Sequence, residues 1–139
     1  MRGGKCWACG ERIDCTHSVI EGLCALIGSA AMLVAPGQAG LMGSLFGWLL
    51  LALAALDLKH FWLPDRLTAA VALVGIAAGL TGLEPSLVDR MIGAAAGFAV
   101  LVTVALAYRW LRKRDGLGGG DPKMLGAIGA MLGWQALPY

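Results

Sequence analysis

Between residues 41 and 56 the chain carries no charged side chain, and the stretch Leu49-Leu50-Leu51-Ala52-Leu53-Ala54-Ala55-Leu56 is apolar without a break. Asp57 follows at once. With its flanks, such a run has the roughly 20 residues a helix needs to cross a hydrocarbon core of about 30 Å. Comparable runs cover 19–35, 67–80 and 91–108, and a marginal one covers 124–137. Pro36-Gly37-Gln38 divides the first two, and the run at 67–80 is short enough to need its flanks. The expected fold is all-α, a polytopic membrane bundle of about four to five transmembrane helices. The expected division is a Cys-rich cytoplasmic segment at 1–17 and a membrane domain at 18–139.

Composition excludes the alternatives. The 139 residues are 58% hydrophobic and 14% charged, against about 45–50% and about 25% in an ordinary soluble domain. Too few polar residues remain to cover a soluble core, and disorder requires the opposite balance. A net charge of +2 is too small to point to nucleic acid. Cys6, Cys9, Cys15 and Cys24 are too clustered for a secreted disulfide framework. The first apolar run sits behind a polar Cys-rich stretch, so a cleavable signal peptide is not expected.

Basic residues set the expected orientation. With a cytoplasmic N-terminus, that side holds Arg2, Lys5, Arg12, Lys59, Arg66, Arg109, Arg112, Lys113, Arg114 and Lys123. The other side holds only Arg90, in the loop at 83–90, a ratio of ten to one among the 11 basic residues. The positive-inside rule then places the N-terminal segment and the loops at 57–66 and 109–123 in the cytoplasm. Gly43/Gly47, Gly75/Gly79, Gly93/Gly97 and Gly129/Gly133 repeat a small-xxx-small spacing that lets helix backbones approach closely.

Asp57 closes an apolar helix, where both the helix dipole and desolvation oppose a carboxylate. It reads either as an interfacial group paired with Lys59 or His60, or as a functional carboxylate. Asp121, in Gly118-Gly119-Gly120-Asp121-Pro122-Lys123, reads as an N-cap followed by Pro at the first helical position. Three glycines exceed what a cap needs and leave room for another chain to approach. Asp65 after Pro64 has the cap-like setting without the glycines and reads as structural. Two crossings separate Asp57 from Asp121, so both return to one membrane face. Carboxylates that meet in a partly dry site cannot easily both ionise, and sharing a proton provides a base and an acid.

At these residues the chain resembles the type IV prepilin peptidases, membrane aspartic proteases of the Gly-x-Gly-Asp type. The block from Leu56-Asp57-Leu58-Lys59-His60 to Pro64-Asp65-Arg66-Leu67-Thr68 looks like the family's first aspartate motif. Gly116-Leu117-Gly118-Gly119-Gly120-Asp121-Pro122-Lys123-Met124-Leu125 looks like the second. The resemblance assigns catalysis to Asp57 and Asp121, with no cofactor for proteolysis. It implies prepilin or pseudopilin substrates cut at the cytoplasmic face of the bacterial inner membrane, after a glycine. Gly118, Gly119 and Gly120 would admit the substrate backbone, and Glu21 and Lys123 would contact it.

The resemblance reaches the N-terminus, where Cys6-Trp7-Ala8-Cys9 is similar to the second Cys-x-x-Cys of the family's cytoplasmic domain. An earlier Cys pair, a leading helix and two C-terminal helices of the usual eight have no counterpart here. Methyl transfer from S-adenosylmethionine, which some members perform, therefore has weak grounds, and an oligomer or partner could supply further helices. Cys6, Cys9, Cys15 and His17 form a Cys3His set of the size a structural zinc site needs; free thiols are the alternative. The basic run at 109–114 suits lipid head groups. Trp48, Trp134 and Cys24 read as packing or interface residues. The competing function is a non-catalytic membrane module that binds prepilins or a pilus or type II secretion assembly. A proton carrier is the weaker third reading, since both aspartates lie at one face.

Overall fold

A computed structural model describes residues 15–60, 63–114, 116 and 118–138, with Cys15 described only in its backbone. Its elements are α1 (Cys15–Val34), α2 (Gln38–His60), α3 (Asp65–Leu80), α4 (Leu87–Arg112) and α5 (Asp121–Leu132), then a 3-10 turn at Trp134–Ala136. Among the described residues there is no strand. Three helices, α1, α2 and α4, are long and apolar enough to cross a membrane, with hydropathies of 1.6, 2.0 and 2.1. The chain is an all-helical integral membrane protein.

Of the two remaining helices, α3 takes in the flank before its run at 67–80, as its shortness required, and α5 is shorter than the run at 124–137. α3 has 16 residues and α5 has 12, or about 24 and 18 Å at 1.5 Å per residue. The expected helix at 124–137 begins earlier and stops at Leu132. Gly133 takes φ +78°, and its N–H caps the Gly129 carbonyl at 2.9 Å. Other boundaries have local causes. Pro36 and Gly37 (φ +89°) break the chain between α1 and α2. Pro64 introduces α3 in an extended conformation. Ser86 caps α4 by accepting from the Asp89 N–H at 3.3 Å.

Packing follows the glycines. A Cβ at Gly93 would collide with the Gly129 carbonyl, and one at Gly129 with the Gly93 carbonyl. One at Gly97 would lie 2.7 Å from the Leu125 carbonyl. α4 and α5 thus meet backbone to backbone, as small-residue faces allow in lipid. Gly75 brings α3 equally close to Ala130 of α5. Leu53, Val71 and Ala127 form the buried centre where α2, α3 and α5 converge, flanked by Phe46, Leu67 and Met124. α1 packs chiefly on α2. Gly47 there accommodates the Ile27 side chain, and the Trp48 indole donates to the Cys24 carbonyl at 2.9 Å.

Arg90 corrects the sequence reading. It lies in the first turn of α4 rather than in a loop, and it is 2% exposed. Its Nε donates to the Pro85 carbonyl at 2.8 Å and its Nη2 to the Glu84 carbonyl at 3.2 Å. Nη1 donates to the Met131 and Ala130 carbonyls at the end of α5. The single exception to the charge bias is thus a buried pin between helix ends.

Candidate active site

Asp57 is exposed in the last turn of α2, which continues to His60. Asp121 is half-buried as the first residue of α5. Both line one cavity of about 810 Å³. Leu63 and Pro64 before α3 and the loop Gly118-Gly119-Gly120 also line it. Asp65, Arg66 and Lys123 complete the wall.

The glycine loop closes on its own aspartate. The Gly118 N–H donates to Asp121 Oδ2 at 3.1 Å, and the Asp121 N–H donates to the Gly118 carbonyl at 3.2 Å. Each glycine has its own surroundings. A Cβ at Gly120 would press on Leu63 at 3.3 Å, one at Gly118 would touch Asp121 at 3.5 Å, and one at Gly119 would meet nothing within 4 Å. The loop therefore packs at its end and stays open at its middle.

The cap readings of the aspartates are overturned. Gly120, not Asp121, is the N-cap of α5, and no side chain caps that helix. Gly120 itself is in the right-handed helical region (φ −79°, ψ −31°). The helix therefore starts one residue early, and the Asp121 carboxylate turns back to Gly118. Asp65 likewise makes no cap bond. Among the described residues, Asp57 has no hydrogen bond or ion pair with Lys59 or His60, so the pairing offered as its structural reading is not formed.

Lys123 reaches Asp65 rather than open solvent. Its ammonium donates to both carboxylate oxygens at 2.8 and 2.9 Å. Arg66 and the partner of Lys123 were not singled out from the sequence. The available signal was a lysine in the first turn of a helix, where the dipole disfavours a cation and a nearby carboxylate offsets it.

The other candidates lie apart. Glu21 is exposed on α1, pairs with His17 at 3.4 Å, and does not line the cavity. Cys6 and Cys9 lie outside the described residues, as does the Cys15 side chain. Among the described residues no group of three or more His, Cys, Asp or Glu could hold a metal. Cys24 is half-buried as a free thiol on α1.

Two carboxylates lining one cavity are the residue types an acid–base pair requires. Residues 44–139 match the model of the type IV leader peptidase family. Over 136 residues, 97% of the chain, it is 43% identical to a protein of Aeromonas hydrophila named prepilin leader peptidase/N-methyltransferase, covering 47% of that protein. Proteins of the same name from Klebsiella pneumoniae and Burkholderia pseudomallei are 39% and 38% identical, with 60% and 44% of their lengths covered. The chain spans about half the length of these relatives. No solved structure matches. By the family match and by identity across nearly its whole length, the chain belongs to the type IV leader peptidase family.

Proposed function

We propose that the chain is a membrane aspartic endopeptidase that removes the leader peptide of prepilins or pseudopilins at the cytoplasmic face of the bacterial inner membrane, with Asp57 and Asp121 as its catalytic pair. The observation that carries this reading is their presence on one cavity, from helices distant in sequence. One carboxylate, ionised, takes a proton from water as the oxygen attacks the scissile carbonyl carbon. The other, protonated, gives its proton as the C–N bond breaks and the amine leaves. Hydrolysis consumes one water and returns both carboxyls to their starting states after one exchange of protons with solvent. The open middle of the glycine loop, at Gly119, is where the substrate backbone approaches.

Proteolysis in this scheme uses no cofactor. Methyl transfer, the second activity in the relatives' printed names, is left out of it. Glu21 is carried as a substrate-positioning residue on the family resemblance alone. The zinc proposal rests on the spacing of Cys6, Cys9, Cys15 and His17, three thiols and an imidazole of the kind structural zinc prefers. About one zinc per chain is expected in purified protein, lost on Cys6→Ser; equal metal content in both would remove the proposal.

The decisive test is cleavage of a prepilin by purified, membrane-inserted chain. Wild type is expected to release the leader. Asp57→Asn and Asp121→Asn are each expected to lower the rate by at least about 10³-fold, since each deletes one half of an acid–base pair. Failure of a correctly inserted wild type to cut, or undiminished cutting by either variant, ends the peptidase reading. Prepilin binding without cleavage would instead identify a non-catalytic binding module.

A further inference from the structure

Asp57 and Asp121 come from separate parts of the chain, and something must hold those parts in register. Asp57 lies in the last turn of α2, and eight residues on Asp65 opens α3. Lys123 lies in the same first turn of α5 as Asp121. The Asp65–Lys123 pair therefore ties the segment that bears one catalytic carboxylate to the segment that bears the other. Both carboxylate oxygens take part, at 2.8 and 2.9 Å. It is the sole ion pair between these two segments among the described residues. At this end of α5 Leu63 also lies against Gly120, Pro122 is buried, and Met124 packs on the core. The backbone-level contacts of α5, at Gly93, Gly97 and Gly75, involve its later residues, Leu125 to Met131.

We infer that Asp65 and Lys123 are positioning residues that set the separation of Asp57 and Asp121. The inference rests on the dyad reading above and adds a specific role for two cavity residues. Lys123 faces the wrong end of its helix dipole, so its position there calls for a partner, and Asp65, favourably placed at the start of α3, provides one. The pair is exposed, with side-chain exposures of 49% for Lys123 and 71% for Asp65. Exposed pairs contribute little to fold stability, so breaking this one leaves the bundle folded. A displacement of even about 1 Å at reacting groups is enough to cost rate.

The test uses the full chain in two arms. In the first, nitroxide labels are attached through Asp57→Cys and Asp121→Cys, with the four native cysteines changed to serine, and the inter-label distance distribution is measured. Lys123→Ala is expected to broaden or shift that distribution. The charge swap Asp65→Lys with Lys123→Asp is expected to restore it. This arm reads geometry whether or not the chain cuts. In the second, prepilin cleavage by chains with both aspartates intact is expected to lose about tenfold or more in kcat in Lys123→Ala, with KM changed less than about twofold. The swap is expected to recover most of that loss. Unchanged distances in Lys123→Ala overturn the inference. So does a swap that stays as slow as the single variant, which would mean Lys123 acts on substrate directly. An inactive wild type with the expected distances would remove the peptidase reading while leaving the positioning role in place.

Discussion

At the C-terminal end of α5 the Arg90 guanidinium is 2% exposed and donates to carbonyls of α5 and of the preceding loop. At the N-terminal end the Lys123 ammonium is half exposed and pairs with a single carboxylate. The first cation sits where a helix dipole welcomes it and where the last carbonyls lack intrahelical partners. The second sits where the dipole opposes it. One end is packed backbone to backbone around a buried guanidinium. The other holds a cavity, a loop with an open glycine and an ion pair that water can reach. A buried cation and an accessible one thus stand at the two ends of a helix of 12 residues.

The largest effect is expected at the closed end. Arg90→Met leaves several buried carbonyls without donors and should cost on the order of 3 kcal/mol or more in unfolding free energy. Arg90→Lys should recover part of it, because an ammonium offers three donors against five. A loss below about 1 kcal/mol, the size of one ordinary hydrogen bond, would show that the carbonyls find other partners and that the contrast between the ends is overstated. Next comes Gly129→Ala, whose Cβ meets the backbone of Gly93 and cannot be relieved by a side-chain movement. Overpacking of this kind costs about 1–3 kcal/mol, readable in the same unfolding experiment. Smallest is Gly119→Ala at the open end, where nothing lies within 4 Å. Its stability should stay within about 0.5 kcal/mol of wild type. A larger loss would mean that the loop packs more tightly than its open space indicates.

What the sequence revealed depended on how local the cause was. The apolar runs located all five helices, because a membrane span is specified by a continuous stretch of side chains. The glycine spacing foretold close helix contacts, since removing Cβ is a local property with one dominant use in lipid. Arg90 escaped because its burial depends on where α5 ends, a matter settled 40 residues away at Ala130. The Asp65–Lys123 pair spans 58 residues and leaves no local trace beyond a lysine at the wrong helix end. Asp121 lines the cavity, but its carboxylate accepts from Gly118 rather than making the expected cap bond. Its cap reading assumed an extended residue before the helix, whereas Gly120 is already helical and hands the cap position back by one.

The unequal heights of α4 and α5 have a consequence for the surrounding lipid. Gly93 faces Gly129 and Gly97 faces Leu125, so each step up one helix is a step down the other. Continued by four residues, that register sets Asp121 level with Leu101, partway along the 26 residues of α4. The rest of α4, to Arg112, rises about 16 Å further at 1.5 Å per residue. A bilayer that matches α4 stands taller than the α3–α5 flank, so that flank must be met by thinned lipid or by a column of water. Hydrophobic mismatch therefore falls on the α3–α5 flank, the side of the bundle on which Asp121 opens its helix.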